Sequence, residues 1–252
     1  MSEKSIVLIT GANQGIGLQI AKDLAGHGFT VLVGSRSLVR GEAAAKTIKG
    51  DAHALQLDVT DGASITAAAD HIRRTWGRLD LLINNAAISN TGRIEGKTIE
   101  EHALSTRASV IRIDEVRAIW ETNVFGVLAI YQAMLPLLRA APSAGIINVS
   151  SGLGSLTMNM DKASPYRAIF SPGYAASKTA LNAMTLAMAI ELESEGIPVN
   201  AVTPGYTKTN LNNYQGVETV EEGAREVVRI ALLGSDAPTG GFSHTTMGTL
   251  PW

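Results

Sequence analysis

Short, unbroken apolar runs alternate with stretches of helical spacing along almost the whole chain. Ile6–Thr10 is such a run, closed by Gly11, and reads as a strand buried on both faces. Gly15–His27 follows, with Ile16, Ile20 and Leu24 on one helical stripe. The same rhythm predicts strands at Thr30–Gly34, His53–Leu57 and Leu79–Asn84, separated by helices at Leu38–Lys49 and Ala63–Trp76. A looser, polar segment covers Ala86–Ser109. Beyond it the pattern predicts a long helix over Arg112–Arg139, then a strand at Gly145–Ser150 and a helix at Tyr174–Glu193. A strand at Ile197–Thr203, a helix at Val220–Leu233 and a seventh strand at Gly241–Thr246 complete the series. Strands separated by helices call for βαβ units. The expected fold is therefore one α/β domain over residues 1–252: a doubly wound, Rossmann-type, mainly parallel seven-stranded sheet with helices on both faces.

Two helical stretches, Val124–Leu138 and Ala180–Leu192, are small or apolar almost all round. Such helices need burial on more than one side. Either a long loop covers them in a monomer, or the helices near 112–139 and 174–193 meet a second copy in a homo-oligomer. Both remain open at this level.

Composition narrows the function. The chain has 252 residues, of which 45% are hydrophobic, enough for one sizeable core. A formal net charge of -2 gives no basic footprint for nucleic acid and no charged face for a membrane surface. There is no cysteine, which excludes disulfides, thiolate metal sites and cysteine nucleophiles and suits a reducing, cytoplasmic setting. The apolar stretch after Met1-Ser2-Glu3-Lys4 is too short for a signal-peptide core or a membrane span. His27, His53, His71, His102 and His244 show no ligand spacing, so no catalytic metal is expected.

The chemistry begins in the turn after the first strand, Thr10-Gly11-Ala12-Asn13-Gln14-Gly15-Ile16-Gly17. Glycines there permit close approach of backbone to a pyrophosphate, and the following helix presents free N–H groups and its positive dipole end. Gly11, Asn13, Gln14, Gly15, Ile16 and Gly17 are the candidate phosphate cradle. At the end of the second strand, an NAD site usually has a carboxylate for the ribose 2′-hydroxyl. This chain has Gly34-Ser35-Arg36 instead. Ser35 and the forked cation of Arg36 suit a 2′-phosphate, which points to NADPH/NADP+ as cofactor.

Of the five tyrosines, only Tyr174 has a lysine four residues on, Lys178. On a helix the two share a face, and a nearby ammonium would lower the phenol's high pKa toward the working range. Ser151, with Ser150 as its rival, sits just past the fifth strand, at the sheet edge where open α/β proteins bind ligands. Its hydroxyl could hold a carbonyl oxygen. Asn123 lies among apolar neighbours in the long helix, which argues for a buried role.

Taken in order, these stations resemble the short-chain dehydrogenase/reductase family over essentially the full length: TGANQGIG at 10–17, Leu57-Asp58-Val59, Asn84-Asn85-Ala86-Ala87, Asn123, Asn148-Val149-Ser150-Ser151, Tyr174-Ala175-Ala176-Ser177-Lys178 and Pro204-Gly205. The resemblance implies that Asp58 and Val59 contact adenine, and that the Asn85-Ala86 backbone lies along the cofactor. It implies that Pro204, Gly205, Thr207 and Thr209 reach the nicotinamide end. It further makes Ser151, rather than Ser150, the catalytic serine, joins Tyr174 and Lys178 to the cofactor site, and gives Asn123 a water in a proton relay from Lys178. Ala87 departs from the family's usual glycine. The stretch Thr219–Ala224, Gly240-Gly241-Phe242, the terminal Trp252 and the long interval from Ser151 to Tyr174 resemble the carbonyl-reductase-like branch.

The implied activity is NADPH-dependent reduction of a ketone or aldehyde to an alcohol, reversible, by a Tyr/Lys acid–base pair with Ser and Asn. A family member acting on C=N, a dehydratase, and a catalytically silent NADP-binding regulatory protein are the alternatives. Two segments would wall the substrate pocket. Gly152–Gly173 carries Leu153, Leu156, Met158, Met160, Ile169 and Phe170, and Tyr206–Val217 carries Tyr206, Leu211 and Tyr214. Apolar walls favour a hydrophobic small-molecule carbonyl compound.

Overall fold

In a computed structural model the described residues are 4–92, 99–164 and 166–252; Met1–Glu3, residues 93–98 of the looser segment and Pro165 lie outside them. Strands β1 (Ile6–Ile9), β2 (Thr30–Ser35), β4 (Leu81–Asn84) and β6 (Val199–Val202) are buried at every position. Burial on both faces is why their sequences run continuously apolar instead of alternating. With β3 (Asp51–Gln56), β5 (Gly145–Val149), β7 (Phe242–His244) and β8 (Gly248–Thr249) they form one sheet, in the order β3-β2-β1-β4-β5-β6-β7-β8.

Successive side chains of each strand enter opposite layers. Ile6 and Leu8 join Leu32, Leu82 and Ile146 on one face, beneath α3 (Gly62–Thr75), α6 (Gly126–Arg139) and α8 (Tyr174–Leu192). Val7 and Ile9 join Val31, Val33 and Ile83 on the other, beneath α1 (Gly15–Gly26), α2 (Leu38–Ala45) and α9 (Val220–Leu233). Between β1 and β4 the strand order reverses, and in open α/β sheets the ligand crevice lies outside the carboxyl ends of the strands at such a point. Thr10, just after β1, and Asn85, just after β4, stand there.

The expected fold holds, with four differences. The sheet has eight strands rather than seven: β8 pairs antiparallel with β7 through two residue pairs, too short a stretch to produce a periodic signal. The looser segment contains a helix, α4 (Ile99–Ser105). The expected continuous helix is α5 (Ile113–Trp120), a π turn at Glu121–Phe125, and then α6. That turn inserts Asn123 into the core, a tertiary preference that apolar spacing does not record. Finally, α7 (Leu156–Met160) lies inside the interval from Ser151 to Tyr174. The stretch Ile113–Arg139 is long and apolar enough to cross a membrane, but half of its apolar window is buried inside the fold, as for a core helix. Phe125 and Leu128 within that stretch, and Leu186 and Ile190 on α8, stay exposed.

A buried polar chain ties the sheet to α8. Asn84 Nδ2 donates to Asn148 Oδ1 at 2.8 Å, and Asn148 Nδ2 donates to Thr185 Oγ1 at 2.9 Å. The two asparagines are direct cross-strand partners. Replacing one removes a partner without removing the desolvation cost of the other. Asn148→Leu is expected to lower stability by about 1–3 kcal/mol. Asn84→Leu combined with Asn148→Leu should cost less than the two single changes added together, as measured by urea denaturation.

Candidate active site

The turn from β1 to α1 is built for close approach. The Thr10 hydroxyl accepts from the N–H groups of Asn85 and Ala86, both at 3.0 Å, locking the ends of β1 and β4 together. Asn85 Nδ2 returns the contact, donating to the carbonyls of Thr10 at 2.9 Å and Gly11 at 3.2 Å. A Cβ on Gly17 would stand 2.4 Å from that Asn85 amide and 2.8 Å from the Gly11 carbonyl, so only glycine allows this packing. Helix α1 starts at Gly15 after Gln14, whose side chain caps none of the first N–H groups. These donors and the dipole end face the crevice where a pyrophosphate would lie, so the residues present fit a dinucleotide. Asn13 is partly exposed and Gln14 exposed.

Ser35 ends β2 fully buried; its hydroxyl donates to the Ser37 carbonyl at 2.9 Å and shapes the turn that leaves Arg36 exposed. Among the described residues no carboxylate is paired with Arg36. Asp58 turns its carboxylate onto Thr60, accepting from its N–H at 3.0 Å and its hydroxyl at 2.7 Å, while Val59 is buried. On the far side, Gly205 follows Pro204 with a φ of 75°. The Thr207 hydroxyl donates to the Pro204 carbonyl at 2.9 Å, and Thr209 lies beside Gly15 across the crevice. Ser89 Oγ donates to the Leu211 carbonyl at 2.7 Å, strapping the loop after β4 to the loop after β6.

Three of the four residues singled out for catalysis, Ser151, Tyr174 and Lys178, meet near the carboxyl end of β5, and Asn123 reaches the same helix through Ser177. The Lys178 ammonium stands 5.8 Å from the Tyr174 ring centroid and donates to the Val149 carbonyl at 2.7 Å. The Ser151 hydroxyl lies near enough to the Tyr174 phenol to lower its pKa. Ser150 turns the other way, donating to Asn182 Oδ1 at 2.5 Å in the core. Asn123, fully buried, accepts from the Ile88 N–H and donates to the Ile88 carbonyl, both at 2.9 Å. Its second amide proton goes to Ser177 Oγ at 3.0 Å, and Ser177 donates to the Tyr174 carbonyl at 2.7 Å. The amide of Asn123 is thus a clamp between the loop after β4 and the first turn of α8.

Electrostatics differ from the expectation. Burial pushes the Tyr174 phenol up to about 12, against a smaller lowering from the Ser151 contact. Burial also draws the Lys178 amine down to about 7. The lysine was expected to depress the phenol; instead both groups are desolvated, and desolvation disfavours each charged form. Thr10, Ile88, Ser89, Ser177 and Thr203 were not singled out from sequence. Thr10 and Ser177 sat inside quoted motifs, but only their tertiary partners reveal what they hold.

Fold and site together define a dinucleotide-binding oxidoreductase. A family profile described as short chain dehydrogenase matches residues 5–219, and the chain belongs to the short-chain dehydrogenase/reductase family. It is an enzyme of the class acting on CH–OH groups, in a family that binds a nicotinamide cofactor. The short-chain dehydrogenase anuI of Penicillium roqueforti (strain FM164) is 39% identical over 241 residues, covering 92% of this chain and 90% of the relative. The (+)-neomenthol dehydrogenase of Arabidopsis thaliana is 34% identical over 288 residues, covering 93% of this chain and 94% of the relative. The solved structure of salutaridine reductase from Papaver somniferum superposes with a TM-score of 0.78 at 29% identity, over 95% of this chain and 99% of that one.

The lysine carries a pH signature. Unfolded, its amine titrates near 10.5; folded, near 7. Between those values the unfolded chain binds a proton that the fold refuses, so stability from this residue rises with pH across that window and is flat below it. In the cofactor-free protein, wild type should gain stability relative to Lys178→Met from pH 7 toward pH 10, by up to about 1.4 kcal/mol per pH unit. Denaturant melts of both proteins across that range provide the check.

Proposed function

We propose that this enzyme is an NADPH-dependent carbonyl reductase, taking ketones or aldehydes to alcohols reversibly. The observation that carries the reading is the meeting of Tyr174, Ser151 and Lys178 at the mouth of the crevice. NADPH, when bound, supplies the hydride. The Gly11–Gly17 turn holds the pyrophosphate, Arg36 the 2′-phosphate, Asp58 and Val59 the adenine, and the Asn85-Ala86 backbone the stretch beyond it. Pro204, Gly205, Thr207 and Thr209 enclose the nicotinamide end.

Ser151 accepts from the Leu153 N–H at 3.2 Å, which leaves its own proton to donate to the substrate oxygen. A phenol held near 12 stays protonated at neutral pH and so remains a donor. The alkoxide formed on reduction is more basic still, and takes that proton from Tyr174. Lys178, drawn down to about 7, then takes up one proton from solvent by way of the Asn123 segment, stabilises the phenolate as an ammonium, and passes that proton on to it. Apolar residues of the two pocket walls support a hydrophobic carbonyl compound as the small-molecule partner. Relatives named as reductases of isopiperitenone and salutaridine support the same direction. We place the reaction in the cytoplasm, which a cysteine-free chain suits. The apolar side chains left exposed on α6 and α8 favour a homo-oligomer over a monomer.

The deciding experiment follows NADPH oxidation against aryl ketones, cyclic ketones, α-keto esters, aldehydes and imines. Turnover is expected with ketones or aldehydes, and Tyr174→Phe should lower kcat by about 10²–10⁴-fold. Turnover of imines alone would favour C=N chemistry, and silence with NADPH binding intact would favour a regulatory protein. Arg36→Ala should cut the preference for NADPH over NADH by about tenfold or more, since a charge-assisted contact exists only with the 2′-phosphate. An unchanged preference, from steady-state kinetics with both cofactors, rejects that role for Arg36.

A further inference from the structure

The interval from Ser151 to Tyr174 does more than wall a pocket. It opens with a tight turn, Gly152–Gly154, whose Gly152 N–H donates to Thr203 Oγ1 at 3.0 Å while the Leu153 N–H donates to Ser151 Oγ. The direction of the Ser151 hydroxyl therefore follows the direction of this turn. On one side the turn is pressed against α8: a Cβ on Gly154 would stand 2.9 Å from the Lys178 carbonyl. Two buried side chains outside the catalytic group hold the other side.

Asn159 donates through Nδ2 to the carbonyls of Gly152 at 3.1 Å, Leu153 at 3.3 Å and Ser155 at 2.7 Å. Ser155, fully buried, accepts from the Met158 N–H at 3.1 Å and donates to the Pro251 carbonyl at 2.7 Å. Pro251 is itself fixed from both sides. The Leu250 N–H donates to the Phe242 carbonyl at 2.7 Å, and the Trp252 ring stacks on Phe242 with centroids 5.4 Å apart and planes 12° from parallel. The Trp252 carbonyl also accepts from the Thr157 N–H at 3.1 Å. The segment after β8 is thus a strut, running from the last parallel strand to the turn beneath Ser151.

We propose that Ser155 and Asn159 are positioning residues for the Ser151 hydroxyl, coupling its turn to the Leu250–Trp252 segment and so setting where the substrate oxygen is held. Buried hydroxyl and amide groups with this many partners specify one geometry, whereas apolar contacts would tolerate several. The inference rests on the reading that Ser151 holds the substrate oxygen.

A double-mutant cycle tests it, using the panel carbonyl that wild type reduces fastest. Ser155→Ala and Asn159→Asp should each lower kcat by about tenfold, because small misplacements of a reacting group are costly. NADPH affinity, read by fluorescence titration, should stay within about twofold, since neither side chain lies in the cofactor cradle. Ser151→Ala should lose more, and adding Ser155→Ala to it should cost nothing further, because a residue acting through Ser151 has nothing left to position. Losses that multiply, or a Ser155→Ala protein with wild-type kcat, overturn the proposal. If Ser155→Ala fails to fold, Trp252→Ala carries the same cycle, with Trp252→Phe expected to restore turnover by keeping the stack. Full turnover in Ser151→Ala would remove the catalytic reading itself, a failure visible before the cycle is closed.

Discussion

An amine that is 2% exposed is a heavy demand on any fold, because charging it away from water costs several kcal/mol unless an acceptor is fixed nearby. Lys178 meets that demand with the Val149 carbonyl at 2.7 Å. The acceptor lies at the end of β5, so α8 must cross the sheet with this residue at the strand's carboxyl edge. The rest of the helix keeps the same register. Lys178, Asn182 and Thr185 lie one turn apart on a single face and meet the Val149 carbonyl, the Ser150 hydroxyl and the Asn148 amide respectively. A polar stripe on the helix reads a polar end of the strand. Tyr174, one turn earlier, is thereby carried beyond the sheet edge to the mouth of the crevice.

This register explains why α8 looked apolar all round. Its inner face carries the buried apolar residues Leu181, Met188 and Leu192 beside the buried polar seam, while Leu186, Ile190 and Glu191 are exposed. Hydrogen bonds to the strand are thus set within an apolar inner face, and apolar side chains remain on the outer one. Such a seam sacrifices burial energy for a unique geometry. The same trade appears at Asn123, whose amide is spent on Ile88 and Ser177, and at Thr10, whose hydroxyl is spent on two N–H groups. Around the crevice, polar side chains do the aligning and apolar strands supply the stability. The raised phenol and the lowered amine are consequences of the same dry seam.

What could be read from the chain follows this division. The strands were legible because burial on both faces leaves an uninterrupted apolar run, and the glycine-rich turn after β1 because it falls between a buried strand and an amphipathic helix. The pairing of Tyr174 with Lys178 was legible from helix geometry, and the role expected of it from the series of motifs around it. The π turn was not, because nothing local distinguishes an asparagine pulled inward by Ile88 and Ser177 from one facing water. β8 escaped because two residues have no period, and α4 and α7 because a helix shorter than two or so turns barely shows a stripe. The expected direction of the Tyr174 shift was reversed for a related reason. Spacing shows that a lysine is near, but not how far each group is withdrawn from water, and desolvation outweighs proximity here.

Ser155 and Asn159 mark the far end of that limit. Serine and asparagine in a polar interval look like loop residues, and in most loops their partners are local backbone or water. Here Ser155 finds the Pro251 carbonyl, 96 positions away in the chain. A contact of that separation costs loop-closure entropy, so it survives only where many others close the same loop; the Phe242–Trp252 stack and the pairing of β7 with β8 do so. The Ser151 turn is therefore held by two independent supports. One is α8, through Gly154 against Lys178, which fixes the turn relative to the proton-transfer pair. The other is the segment after β8, which fixes it relative to the last parallel strand. The proposed chemistry would need both references, because it asks Ser151 to hold an oxygen in a set position relative to Tyr174 and to the sheet edge alike.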